Sequence, residues 1–506
     1  MRSIFRTSIL SRDYDSILAA LIGCWIIQVF SRHGGIGVSP DSVIYMSTAS
    51  NILHQGMIYD FSGWPMMDFP AGYPIFLAGL QGLTRMDILR IGPSLDGALF
   101  AALIFTAGWL MQRFSETNRG YKWIMLTVII LSPCLLEVYS MIWSETLFLL
   151  LILFFIVSIR PFLLDPRLKK LLAPAIIAAL ACVTRYAGLS LILLGGGLIL
   201  CIKDHPWKQK IIQLATFGAI ASSLFLLNLY RNHLVTGTLT GYREKAITSF
   251  SANLYHFGTV LCDWLPFFGE NYSLARIIAC LFIILAIVLF VLRWLRGLDL
   301  FSYQNIATAY FLVYAVFILA IASLSRFQQL DSRLLSPLCI PWLWSFTAWI
   351  PGWLDSFRTR SRRIIAIVVL FLAAACMQYG QLQTYAENWE GIKYAGIPGY
   401  TEDQWRDSQT MDYVRHTPEF HRPGAPNYSN AYEGIWFLAG VRSDLLPHKE
   451  FAQDIKEMLR EKRIYVIWFN DSINTDLVSI EYISQYMNLE KTVTFDDGAV
   501  YYFTRK

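Results

Sequence analysis

Eleven apolar runs divide the first 380 or so residues of this chain, and they constrain it more than any motif. A nearly charge-free run of about 17 to 22 residues has the length of a helix that crosses the hydrocarbon core of a bilayer. The runs fall near 17–30, 99–111, 123–136, 146–159, 171–183, 189–202, 211–229, 275–292, 306–324, 335–350 and 364–377. Several are short for a full crossing, a mismatch that packing against neighbours or local thinning of the bilayer accommodates. Composition agrees: of 506 residues, 55% are hydrophobic and 16% charged, whereas soluble domains carry roughly 25% charged residues. The expected class is an α-helical polytopic membrane protein of about eleven transmembrane helices, followed by a small soluble α/β domain.

The net charge of +5 does not point to nucleic acid, because the basic residues are distributed by topology. With the N-terminus cytoplasmic, the inner loops are 112–122, 160–170, 203–210, 293–299 and 358–363, and each is basic, ending in RTRSRR. The turns 184–187 and 325–334 on the other side hold only Arg185, Arg326 and Arg333 as cations. This asymmetry follows the positive-inside rule. It assigns the segment after the first run, and the tail, to the extracytoplasmic side. The first run is preceded by Arg2, Arg6 and Arg12 and lacks a small-residue cleavage site, so it is expected to be a retained anchor. Eight cysteines lie mostly in or beside the runs, with no CxxC or Cys/His pairing. They read as small apolar helix residues, with no metal or disulfide framework.

Two domains are expected: a membrane body over 1–380, with long outer loops at 32–95 and 230–272, and an extracytoplasmic α/β domain over 381–506. In the tail, TEDQWRDSQTMDYVRHT (401–417) and FAQDIKEMLREK (451–462) read as amphipathic helices. RIYVIWFN (463–470) and GAVYYFTRK (498–506) read as strands, and NAYEGIWFLAG (430–440) as a helix packed on them.

Polar groups near a bilayer are costly unless paired or hydrated, so they are the places to look for chemistry. Asp41, Asp68, Glu145, Arg185, Arg231, Arg243, Lys245, Arg326, Asp331 and Arg333 all fall on one side of the same topology. Carboxylates and guanidiniums converging on one face can hold a phosphate-bearing lipid and activate a hydroxyl or amine beside it. Structural roles stand next to each of these. In GVSPDSVIYMSTASNILHQG (37–56), Ser39 can cap a helix, Pro40 can take its first position, and Asp41 favours its positive end. Glu145 follows Ser144 in the same kind of setting. Arg185 and Arg333 can snorkel to headgroups, and Asp331 can pair with Arg333 or Arg326. The histidines show no metal spacing.

The order of these segments resembles the membrane glycosyltransferase superfamily of the C-type fold, which includes protein O-mannosyltransferases and the lipid A aminoarabinose transferase. The resemblance is carried by PDSVIYMSTASNILHQG, PAGYPIFLAG, WSETLFLLL, TRYAGL, YRNHLVTGTLTG and SRLLSPLCIPW, in that order over about 10–380. O-mannosyltransferases have adjacent acidic residues in the first loop, whereas Asp41 is followed by Ser42. The match is closer to the broad bacterial group. It implies Asp41 as the catalytic carboxylate, and Glu145 and Asp68 as accessory acidic groups at the substrate. Arg185 and Arg333 would bind the donor phosphate, with Arg231, Arg243 and Lys245 as further cations. The implied donor is a polyprenyl-phosphate-linked sugar and the acceptor a lipid, glycan or protein, with no cofactor and no metal required. The setting implied is a bacterial inner membrane.

The chemistry expected is inverting transfer at the outer face, with Asp41 as base and arginines stabilising the departing phosphate. A carrier or flippase for lipid-linked sugars, or a binding scaffold, is the alternative. A transporter would place polar residues in mid-span and show inverted repeats, whereas the charges here gather at one face.

Overall fold

The computed structural model of the chain describes residues 13–114, 118–203, 205–241, 245–265, 272–296, 300–326, 329–422, 424–470 and 476–506. The chain forms two compact units. One runs to Phe30 and resumes over Pro65–Glu390; the other comprises Ser31–Trp64 and Gly391–Lys506. Residues 31–64, part of the long loop in the sequence reading, thus pack with the tail.

The first unit is helical, and all eleven apolar runs fall on helices. Among the described residues, six helices are long and apolar enough to cross a membrane: Ile88–Arg113, Ser144–Leu164, Trp207–Thr236, Ala275–Leu295, Tyr303–Leu324 and Arg360–Ala395. A seventh span exists if Arg119–Ile130 and Pro133–Tyr139, bent by 53°, count as one. The break is local chemistry. Pro133 brings no backbone N–H to the ladder, and Ser132 caps the new helix by accepting from the Leu135 amide. The remaining runs form Tyr14–Phe30, Leu168–Thr184, Leu189–Leu200 and Ser332–Thr347, of 17, 17, 12 and 16 residues. At 1.5 Å per residue these are about 18 to 26 Å long, short of a core of about 30 Å. Length therefore supports six or seven full crossings, and the expected eleven is a count of apolar helices.

Small residues let these helices approach closely, as packing without a hydrophobic drive between them requires. Gly97 on Ile88–Phe114 faces Cys24 and Gln28 of Tyr14–Phe30, and Gly108 faces Ser16. A Cβ at Gly258, in Phe250–Asp263, would run into the carbonyl of Ala275. Two buried cations of this interior are paired. Lys122 Nζ lies 2.5 Å from Asp15 Oδ1 and 3.9 Å from Asp13 Oδ1. Arg293 donates to Thr308 Oγ1 and to the Ser345 carbonyl.

The second unit is built on a five-stranded mixed sheet: β1 Asn427–Ser429, β2 Asp444–Leu445, β3 Arg463–Phe469, β4 Met487–Thr494 and β5 Gly498–Arg505. Their order is β2-β1-β3-β5-β4, with β1 parallel to β2 and β3, and β5 antiparallel to β3 and β4. Alternation along β3 divides the core between two faces. Ile467 and Phe469 pack with Met411, Val414 and Ile435 on one face. Ile464 and Val466 pack with Ile455, Met458 and Ile483 on the other. The helices Gln409–His416 and Tyr432–Ala439 thus cover one side, and Ala452–Arg460 and Ile480–Tyr486 the other.

Residues 31–64 join this unit through backbone bonds. The Tyr400 amide donates to the Val38 carbonyl at 2.7 Å, and Thr401 Oγ1 donates to the Ile36 carbonyl at 3.0 Å. Phe61 packs its ring on Tyr432 and Trp436.

Candidate active site

In the membrane unit, three of the sequence candidates form one buried cluster. Glu145 opens the helix Ser144–Leu164 and is 1% exposed. Its Oε1 lies 2.6 Å from Arg333 Nε and its Oε2 lies 2.6 Å from Arg185 Nη1. Arg185 also donates to Ser144 Oγ at 2.8 Å, and the Arg333 guanidinium lies 3.9 Å from the ring centre of Trp143. WSE (143–145) therefore supplies a ring, a hydroxyl and a carboxylate to two arginines from separate segments. Glu137 and Asp331 are close enough to act on this cluster electrostatically. Asp331 also caps Ser332–Thr347 by accepting from the Leu334 amide at 2.8 Å, and burial pushes its carboxyl up. Two guanidiniums on one carboxylate, with acids at the edge, form a polar site able to exchange one anion for another.

In the second unit, Asp41 stands in the first turn of Pro40–Gln55, half-buried. Ser39 and Ser42 form a reciprocal capping box, Pro40 opens the helix, and Gly56 ends it with φ 70°. The carboxylate is thereby held on a rigid helix start. A second carboxyl stands on a helix packed against the Asp41 helix. Glu433, 8% exposed, sits in the first turn of Tyr432–Ala439, which packs against Pro40–Gln55. The neighbouring Tyr400 and Tyr432 hydroxyls favour its ionised form. Burial, with the Asp41 charge added, pushes the Glu433 carboxyl up to about 7. Ser47, Ser50 and Asn51, further along the Asp41 helix, line a cleft of about 320 Å³ with Asp60, Trp436 and Arg442.

Solved structures share this architecture. ArnT from Cupriavidus metallidurans in the apo state is 12% identical and superposes with a TM-score of 0.54, covering 96% of this chain and 97% of that one. ArnT from the same organism bound to undecaprenyl phosphate is 11% identical at a TM-score of 0.55, covering 95% and 96%. This chain has the C-type glycosyltransferase fold. A third C-type structure, the archaeal oligosaccharyltransferase AglB from Archaeoglobus fulgidus in complex with an inhibitory peptide and a dolichol-phosphate, is 11% identical. Its TM-score is 0.50, with 90% of this chain and 69% of that one covered. No protein-family profile and no curated protein sequence matches the chain.

Within the C-type fold the other candidates are dispersed. Asp68 is exposed, and its Oδ1 lies 2.6 Å from where a Cβ on Gly241 would stand. Gly241 has φ 73°, so this turn needs glycine for both space and backbone. Arg231 Nη1 donates to the Met66 carbonyl at 2.8 Å and to Asn232 Oδ1 at 3.0 Å, holding the segment that leads to Asp68. Lys245 forms an antiparallel bridge with Ser325 through its backbone. Arg243 lies outside the described residues. Among the described residues, no group of three His, Cys, Asp or Glu side chains is arranged to hold a metal ion. Sequence reasoning missed Glu433 and Tyr400. In EGIWFLA the acid reads as ordinary helix-start chemistry, and nothing local announces the tyrosine that meets it.

Proposed function

We propose that this protein is an inverting membrane glycosyltransferase that moves a sugar from a polyprenyl-phosphate donor to a lipid, glycan or protein acceptor. The reaction takes place at the outer face of a bacterial inner membrane. The observation that carries this reading is a carboxylate, Asp41, fixed by a capping box at the start of a helix in a chain of C-type fold. The basic inner loops of the sequence support the sidedness.

Asp41 takes the proton of the acceptor hydroxyl or amine as that atom bonds to the anomeric carbon. The bond from this carbon to the phosphate oxygen breaks, and its electron pair leaves with the lipid phosphate. Attack opposite the leaving group inverts the centre. Arg185 and Arg333 stabilise the charge that builds on the departing oxygen, a task suited to planar guanidiniums. Glu145 keeps both oriented before the donor arrives, and Arg231, Arg243 and Lys245 add positive potential. Asp68 contacts the sugar or acceptor. The polar cleft along the Asp41 helix suits a hydroxyl-rich acceptor.

The test is incubation of the purified protein with a panel of polyprenyl-phosphate sugars, following release of free lipid phosphate. Asp41→Asn is expected to lower transfer by about 100-fold or more with an unchanged melting temperature. Transfer at the wild-type rate in that variant would remove Asp41 from the mechanism. A wild-type protein that moves intact donor across vesicles without releasing lipid phosphate would be a carrier.

A further inference from the structure

Two clefts of the second unit meet at one guanidinium. The first, of about 320 Å³, is lined by Ser47, Ser50 and Asn51 of the Asp41 helix. The second, of about 560 Å³, is lined by Trp64, Arg422, Asn427, Ser443 and Asp444. Phe61 and Arg442 line both. Clefts of this size are in the range of small-ligand sites.

Residues 60–64 contribute to both clefts and form a closed turn. Asp60 Oδ1 accepts from the Ser62 amide at 2.9 Å, the Ser62 hydroxyl at 2.5 Å and the Trp64 amide at 3.2 Å. The Asp60 amide donates to the Trp64 carbonyl at 2.9 Å. Asn51 Nδ2 fastens the turn to the Asp41 helix, donating to the Tyr59 and Asp60 carbonyls at 2.9 and 3.1 Å. Gly63, with φ 83°, supplies the left-handed position. Trp64 is left 68% exposed on this turn, an apolar surface suited to the face of a sugar ring.

Arg442 is held beside the same turn. Its neighbours Val441 and Ser443 are buried, and its carbonyl accepts from Asn427 Nδ2 at 3.0 Å, so the backbone beneath the side chain is fixed. Its Nη2 lies 3.9 Å from where a Cβ on Gly63 would stand. Among the described residues no carboxylate pairs with this guanidinium. Of the acids lining the clefts, Asp60 is occupied within its turn, and Asp444 stands on β2. A planar cation held where two clefts meet can offer parallel donors to a carboxylate or phosphate.

We propose that the two clefts form one extended subsite for an anionic glycan. Sugar hydroxyls meet Ser47, Ser50 and Asn51, the acidic group is received by Arg442, and the chain continues over Trp64. This rests on the reading of the protein as a glycosyltransferase, and it names the acceptor as an acidic, oligomeric glycan. At 1.5 Å per residue, Ser47 and Asn51 stand about 9 to 15 Å along the helix axis from Asp41. The subsite therefore holds acceptor units remote from the reacting hydroxyl, where binding serves to position the chain.

The test is binding of oligosaccharides to the full-length protein in lipid nanodiscs, without donor. One panel carries uronic acids and one carries phosphate groups, each measured against neutral oligosaccharides of the same length. Wild type is expected to bind one acidic panel at least about 10-fold more tightly than the neutral one. The preferred panel shows which anion Arg442 receives. Arg442→Gln should weaken binding of the acidic glycan by about 10- to 100-fold and leave the neutral one unchanged. Trp64→Ala should weaken both by about 3- to 10-fold. Both side chains are exposed, so the melting temperatures of the two variants should match wild type. Equal binding of acidic and neutral glycans by wild type overturns the proposal, as does an acid preference that survives in Arg442→Gln. Because binding is read without donor, a wild type that releases no lipid phosphate ends the transferase reading, while the subsite stands or falls on these affinities.

Discussion

Arg333 Nε and Arg185 Nη1 each lie 2.6 Å from a different oxygen of Glu145. One carboxylate, sealed at the start of Ser144–Leu164, therefore ties the end of Leu168–Thr184 to the start of Ser332–Thr347. Removing one member of such a cluster costs more than the pair contributes, because the others stay buried without compensation. Glu145→Ala is expected to destabilise the protein by about 3 to 5 kcal/mol, read as a lower melting temperature in detergent. Glu145→Ala combined with Arg333→Met should recover part of that loss. A single variant that melts with wild type would show that the cluster is hydrated and replaceable.

The same reasoning applies to Lys122, whose side chain is 2% exposed against 0% for Asp15. Lys122→Met leaves Asp15 and Asp13 buried without their cation, and a loss of about 3 to 5 kcal/mol is expected. Lys122→Met with Asp15→Asn removes both charges and should melt closer to wild type. The comparison of the two melting curves checks this.

Glu433 makes stability depend on pH in a direction that can be stated. Its folded-state titration near 7 lies above the value of about 4.3 for an unfolded glutamate, so the native state binds the proton more tightly. The stability this confers is fully present below about pH 4.3 and is lost as the pH rises through about 7. By pH 8 the accumulated loss is on the order of 3 kcal/mol. Glu433→Gln escapes it. Its stability relative to wild type should therefore be higher at pH 8 than at pH 5, measured by thermal melting at both values.

Gly258 offers a packing test. Phe250–Asp263 approaches Ala275–Leu295 so closely that a Cβ at residue 258 meets the Ala275 carbonyl and carbon. Backbone cannot step aside as a side chain can. Gly258→Val is expected to lose at least about 1 to 3 kcal/mol through overpacking, whereas Gly218→Ala, in open space on Trp207–Thr236, should be neutral or slightly stabilising. Melting temperatures of the two variants separate these outcomes.

Much of the fold was legible where local chemistry decides it. Ser39, Pro40 and Gly56 bound a helix for reasons contained within a few residues, and that helix is present. RIYVIWFN and GAVYYFTRK became β3 and β5 because β-branched and aromatic residues alternate there. Other elements depend on distant partners. TEDQWRDSQTMDYVRHT reads as one helix but forms Asp403–Arg406 and Gln409–His416, because Ser408 caps the second and Asp497 binds Ser408 and Thr410. β4, MNLEKTVT, is mostly exposed and carries too few apolar residues to announce a strand; pairing with β5 makes it one.

By itself, the sequence determined that this chain belongs in a membrane, which segments become helices, and that Asp41 stands at a helix start. Those outcomes follow from apolar length and capping, which act over one or two turns. Only the tertiary structure decided that Glu145 joins Arg185 and Arg333, and that the helix of Glu433 packs against the helix of Asp41. These residues are 40 to nearly 400 positions apart in the chain. No local pattern encodes such encounters, because they depend on how whole helices pack and on which buried charges must then find each other.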